Sequence, residues 1–176
     1  MSAFEDWMPA GGRADAVVAF SSWHWLDPAV RAGKVAAALR PGGTLATITT
    51  SHVLGGTARF FARSQDCYER WDPATPPGLR LQPSEEIPAD LDEVDGDQRF
   101  RPATRRRYFQ DITYSTSEYL DVLRTYSGHR ALEADRRREL LSCIAGLIDR
   151  DFGGAITKRY MYELRVARTV SGPRST

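Results

Sequence analysis

Between Ala14 and Thr50 the chain reads as strand, turn, helix, glycine stop and strand, and no other stretch restricts the fold as much. Ala14–Phe20, Ala-Asp-Ala-Val-Val-Ala-Phe, is a short continuous apolar run, the kind that a parallel sheet buries on both faces. It is therefore expected to be a central strand. Asp27 is expected to cap a helix with Pro28 at its first position, where the missing N–H costs nothing. Val30, Val35, Ala38 and Leu39 supply the inward face of that helix. Arg40-Pro41-Gly42-Gly43 should stop it, because proline cannot continue a helix and glycine relieves a positive-φ turn. Residues 44–50 are rich in β-branched side chains and form the next strand. Two strands joined by a helical crossover of this length run parallel. A parallel sheet seldom begins with so apolar a strand, so the chain is expected to be the back half of a larger domain. The neighbour of the first strand would then lie outside the sequence, and self-association through the exposed strand follows.

Downstream the pattern changes twice. Leu54, Ala58, Phe61 and Tyr68, with Phe60, Cys67 and Trp71 nearby, sit at roughly helical spacing and predict an amphipathic helix over 57–71. Pro73, Pro76, Pro77, Pro83 and Pro88 then punctuate a segment that turns acidic over 85–97, which reads as a solvated surface loop. Residues 108–114 alternate as a strand does, and Ser115 with Glu118 matches a capping box for a helix to about Tyr126. Leu140, Leu141, Ile144, Leu147 and Ile148 form a helical stripe within 133–150. Gly153-Gly154 ends that helix. Tyr160, Tyr162, Leu164 and Val166, alternating with Met161, Glu163, Arg165 and Ala167, mark a last strand, and 171–176 reads as a disordered tail.

The balance of charge narrows the partners. Lys and Arg total 24 against 23 Asp and Glu, so no global field draws the chain to nucleic acid or an anionic membrane. A small-molecule partner is expected. No apolar run approaches the roughly 20 residues of a membrane span, and the acidic start does not resemble a secretory signal, so a cytoplasmic address is expected. Cys67 and Cys143 are far apart, have no Cys or His at ligand spacing, and read as reduced packing residues with no metal site.

Chemistry concentrates where the first strand hands over to the helix. Ser21, Ser22, Trp23, His24, Trp25 and Asp27 lie beyond the strand's carboxyl end, the edge at which open α/β sheets bind ligands. A histidine between two tryptophans offers one titratable group in an aromatic wall. A hydrolase triad is excluded, since no Gly-x-Ser-x-Gly elbow is present and members so close in sequence rarely converge. The arginine runs at 105–107 and 136–138 lack interleaved base-stacking residues and read as solvated faces. Gly11-Gly12 and Gly42-Gly43 stand in the reverse of the order that a phosphate loop requires.

The ordered set of Phe4-Glu5-Asp6-Trp7, the segment 14–25, Leu39-Arg40-Pro41-Gly42-Gly43 and the strand at 44–50 resembles class I S-adenosylmethionine-dependent methyltransferases. The resemblance is to the small-molecule branch called type 11, or ubiquinone-biosynthesis-like and trans-aconitate-methyltransferase-like. Tyr119-Leu120, Thr125-Tyr126-Ser127, Leu132 and the last helix and strand look like the tail of that branch. It implies an α/β fold, a partial Rossmann-like sheet carrying strands four to seven of seven, with flanking helices and a helical and loop insertion over 51–106. A single domain over 1–170 follows. The resemblance further implies S-adenosylmethionine as cofactor, with Glu5, Asp6 and Trp7 at the adenine pocket and Phe20, Ser21 and His24 at the methionine end. His24 would be the catalytic base, and Trp23, Trp25, Phe60 and Phe61 would face a small-molecule methyl acceptor. The family's glycine-rich loop and ribose-binding acid do not occur in this sequence, so the implied enzyme is N-terminally truncated. The alternative is a non-catalytic module, or a remnant, that pairs through the strand edge.

Overall fold

The computed structural model describes Phe4, Asp6, Trp7 and residues 12–170. In chain order the elements are β1 (Ala14–Phe20), a 3-10 turn at Trp23–Trp25, α1 (Arg31–Ala38), β2 (Leu39–His52), α2 (Ala58–Trp71), α3 (Glu93–Gly96), β3 (Thr104–Ser115), α4 (Thr116–Thr125), α5 (Ser127–Ala131), α6 (Ala134–Asp151) and β4 (Ala155–Arg168). The strands form one mixed sheet in the order β1-β2-β4-β3. β1 and β2 are parallel, as their helical connection requires. β4 runs against both neighbours: on β2 the Gly43 carbonyl accepts from Thr169 while Thr47 meets Arg165, and on β3 Arg107 meets Glu163 while Thr113 meets Thr157.

The chain divides into two compact units, one of Met1–Ser51, Pro88–Tyr108 and Tyr162–Thr176, the other of His52–Ile87 and Phe109–Met161. Of the 51–106 segment, Ser51 and the residues from Pro88 onward belong to the first unit and His52–Ile87 to the second.

In the first unit β1 is, among the described residues, an edge strand, with the exposed side expected of a strand of central type that lacks one neighbour. Its apolar run promised burial on both faces, but burial depends on what flanks a strand, and among the described residues β1 has a neighbour on one side only. Val18 and Phe20 are 64% and 60% exposed. α1 also begins later than expected. The Asp27 carboxylate accepts from the Ala29 N–H at 2.9 Å and its carbonyl from Val30 and Arg31, so Asp27-Pro28 forms a turn before the helix. The Arg40-Pro41-Gly42-Gly43 stop does not form a loop after the helix but lies within β2. There the pairing slips, from Ala14 opposite Leu39 to Ala16 opposite Thr44, and Gly42 takes a φ of 75° that favours glycine.

The acidic run divides: Glu85, Glu86 and Asp90 are exposed as expected of a solvated face, whereas Asp92, Glu93 and Asp95 are tied to cations. Asp92 caps the short α3, and its carboxylate takes the Trp23 indole N–H at 2.6 Å and the Arg165 guanidinium. Glu93 holds the buried Arg31 through two hydrogen bonds, at 2.5 and 2.9 Å. Arg105 pairs with Asp95 and Arg107 with Glu163, so two members of the first arginine run are tied to acids within this unit. Around these charges Trp23, Val35, Leu39, Leu45, Val94 and Phe100 form the core.

The second unit packs α2, α4 and α6 around Phe60, which is fully buried and meets the rings of Phe61, Tyr119 and Phe152 edge to face. The capping box acts as read from sequence, with Ser115 and Glu118 completing it at α4, and the structure adds a cap at α6 from the Glu133 carboxylate. Leu140, Ile144, Leu147 and Ile148 are buried along α6. Cys67 of α2 and Cys143 of α6 are joined in a disulfide, correcting the reading of two reduced thiols. Sequence separation of 76 residues concealed the pair, because proximity came from helix packing. Stable disulfides belong to oxidising compartments, which counts against the cytoplasmic expectation. Among the described residues no helix is long and apolar enough to cross a membrane.

β4 changes its inward parity. Ile156, Lys158 and Tyr160 are buried in the second unit, then Met161 follows, with Glu163, Arg165 and Ala167 buried in the first. The face that receives charges is thus the buried one.

Candidate functional site

At the carboxyl end of β1 the structure gathers Phe20, Ser21, His24 and Trp25. Ser21 adopts a φ of 47°, rare for a residue with a Cβ, and is held there by its N–H on the Ile48 carbonyl at 2.8 Å and its Oγ against Thr50 Oγ1 at 3.1 Å. The chain then turns sharply into Trp23–Trp25. His24 is exposed and its ring lies 4.7 Å from that of Trp25, which is 72% exposed. Phe20 lies 6.2 Å from Tyr162, ring to ring. This edge therefore offers exposed aromatic surface, hydroxyls and an imidazole.

Other residues singled out from sequence fall elsewhere. Trp23 is buried in the first unit's core, its N–H bound to Asp92 and its ring under the Arg31 guanidinium at 4.8 Å, so it presents no wall to a ligand. Phe60 is likewise wholly enclosed and faces no acceptor. Phe61 lines a cavity of the second unit. Asp6 and Trp7 are exposed in a turn in which the Trp7 N–H donates to the Phe4 carbonyl, the two rings 6.4 Å apart. Glu5 and the 171–176 tail lie outside the described residues.

The cavity is the feature that sequence reasoning missed. It measures about 490 Å³ and is lined from α2, from α4 and its cap, from the loop after α2 and from two strands. Lys158 of β4 is only 2% exposed, and its ammonium sits 5.1 to 5.7 Å from the ring centres of Tyr160, Tyr126 and Tyr119. Nζ donates to Tyr126 Oη at 3.0 Å, and that hydroxyl lies 3.3 Å from His52 Nε2. Tyr126 Oη thus joins the lysine, as acceptor, to the His52 imidazole in one polar chain. Burial, with the nearby Lys158 charge, lowers the His52 pKa to about 4, and burial alone lowers that of Lys158 to about 7. Desolvation pushes Tyr68, Tyr119, Tyr126 and Tyr160 upward, so these phenols stay protonated. Tyr68 Oη meets His129 Nε2 at 3.1 Å, with burial holding that imidazole below its usual range. The one sequence signal for this cluster is a lysine between Ile156 and Tyr160 in strand alternation. Among the described residues no group of three or more His, Cys, Asp or Glu could hold a metal ion.

No protein-family model and no curated relative matches the chain. Among solved structures it is similar to a protein assigned as a type II methyltransferase from Anaeromyxobacter dehalogenans, with TM-score 0.52 and 15% identity over 92% of this chain and 67% of that one. It also matches a protein assigned as a methyltransferase from Bacillus halodurans, with TM-score 0.44 and 14% identity over 97% of this chain and 70% of that one. The YcgJ protein of Bacillus subtilis matches with TM-score 0.44 and 13% identity, over the same shares. At such identities likeness speaks to fold alone. The chain has an α/β fold of the class I methyltransferase type, and its four-stranded sheet with flanking helices is a partial Rossmann-like one.

Proposed function

We propose that the chain serves S-adenosylmethionine-dependent methyl transfer to a small molecule. The observation that carries this reading is the parallel β1–β2 pair, in a fold of methyltransferase type, ending in a strained Ser21 beside exposed His24 and Trp25. The donor set fits one side of the cofactor. Phe20 and Trp25 give flat apolar faces suited to a sulfonium, which aromatic rings attract, and Ser21 Oγ and the His24 imidazole give polar contacts near the methionine end. The described residues supply neither a glycine cradle after β1 nor a strand-end carboxylate for the ribose, so no step is assigned to them there. When bound, the cofactor supplies a methyl group already activated by positive sulfur. The protein's part is then to orient the acceptor and exclude water. In this reading His24, exposed at this edge, takes a proton from an acceptor hydroxyl onto its imidazole nitrogen.

Calorimetric titration of the 176-residue chain with S-adenosylmethionine tests the reading. Micromolar binding, weakened about tenfold by Trp25→Ala, is expected. Absence of binding by the intact chain refutes it for this polypeptide.

A second reading draws on the exposed Val18 and Phe20 of the edge strand: β1 recruits another chain by strand addition, without catalysis. Light scattering separates the two. Concentration-dependent association supports strand addition, while a monomer that melts cooperatively counts against it.

A further inference from the structure

We propose that the cavity of the second unit binds a planar organic acid, a carboxylate or phenolate carried on an apolar ring system, with Lys158 as the group that receives the charge. An amine enclosed to this degree costs free energy unless an anion faces it. Among the described residues no carboxylate lies within ion-pair distance of Nζ. Of its three N–H donors one goes to Tyr126, which leaves donors for a carboxylate's two oxygens. The aromatic cage formed by Tyr119, Tyr126 and Tyr160 already contains the lysine, so a cationic ligand would meet like charge.

The rest of the lining sets the body of the ligand. Phe61, Leu79, Leu81, Ile87 and Leu123 are apolar, and the volume of about 490 Å³ matches a two-ring molecule. Gln65 Nε2 donates to the Pro76 carbonyl and Ser64 Oγ to that of Phe61, so part of the polar lining is engaged with the protein itself. A phosphate would call for several converging cations. Here the cations that line the cavity are Lys158 and, exposed on the loop, Arg80.

The titratable groups facing Lys158 are His52 from β2, Tyr68 from α2, Tyr119 from α4, Tyr126 and His129 beyond it, and Tyr160 on β4 itself. The histidines are held neutral and the tyrosines protonated near pH 7. Lys158, with its pKa near 7, therefore changes charge there, and an incoming anion draws a proton onto it. The acid site does not depend on the methyltransferase reading, because its test contains no methyl donor.

The experiment compares 1-naphthoate with its neutral analogue 1-naphthamide by calorimetry on the 176-residue chain. At about pH 6 the acid should bind about tenfold or more tightly than the amide, and at about pH 9 that preference should vanish as Lys158 loses its proton. Near pH 7 the acid's binding heat should depend on the buffer, reporting proton uptake. Lys158→Met should abolish the preference while keeping amide binding, and Arg80→Gln should retain it. Equal affinity for acid and amide, no binding of either, a preference unaffected by pH, or its loss in Arg80→Gln would each overturn the proposal. The wild-type pH comparison decides the matter even if Lys158→Met does not fold.

Discussion

Replacing Asp92 by alanine should destabilise the protein far more than most removals of a carboxylate. The side chains of Asp92 and Arg165 are 10% and 4% exposed, and the carboxylate also accepts from the Trp23 indole at 2.6 Å and the Val94 N–H at 3.0 Å. Without it, Arg165 Nη1 keeps only Asp95 at 3.5 Å, while Nη2 is already buried with no hydrogen-bond partner among the described residues. Breaking one side of a buried ion pair costs about 3–5 kcal/mol, and a lost helix cap adds about 1. Arg31 retains Glu93, so the net loss should fall near the lower end of that sum, about 4 kcal/mol. Urea unfolding followed by circular dichroism reads this as a drop in midpoint at unchanged slope. Asp92→Ala with Arg165→Met should recover part of the loss, because the orphaned cation goes too. Desolvation opposes ionisation of Asp92, but the Arg165 guanidinium, the Val94 N–H and Trp23 outweigh it and hold the pKa below the usual carboxylate range. The stabilisation is thus complete above pH of about 4 and is lost as pH falls through the folded-state value, a slope that Asp92→Ala should flatten. A loss under about 1 kcal/mol, or a double variant no more stable than Asp92→Ala, would refute the account of a buried, interdependent charge cluster.

Reduction of the Cys67–Cys143 bond, or Cys67→Ser with Cys143→Ser, should cost about 4 kcal/mol for a loop of this length and lower the melting temperature in calorimetry. His52, neutral in the fold with its pKa at about 4, takes up a proton on unfolding between there and about 6.5; stability should therefore fall across that window as pH drops, and His52→Gln should remove this component of the titration. Gly56→Ala should destabilise by about 2 kcal/mol or more in urea titration, since φ is +57° and a Cβ would stand 2.2 Å from the Thr157 carbonyl oxygen.

Local signals carried well from sequence to structure. The capping box at Ser115 and Glu118 involves residues three apart, and the α6 stripe needs only the helical period, so both are legible without knowledge of distant contacts. The strand, helix and strand of the first fifty residues appear in order, yet their boundaries moved, because Asp27-Pro28 satisfies a turn as readily as a helix start. At the candidate site, the exposed edge of Ser21, His24 and Trp25 was readable from its position after an apolar strand. The roles of Trp23 and Phe60 were not, since an aromatic residue beside a loop looks alike whether its ring turns outward or into the core. Nor could spacing reveal that an acidic loop closes on Arg31, Arg105 and Arg165, each many residues away.

What the sequence determined alone was which segments become helix and strand, through propensity, period and caps that act over a few residues. The tertiary structure decided that, among the described residues, β1 ends the sheet, two distant cysteines join, and Lys158 lies enclosed among tyrosines without a carboxylate. Those outcomes depend on desolvation and on contacts between residues remote in the chain, and neither has a local signature.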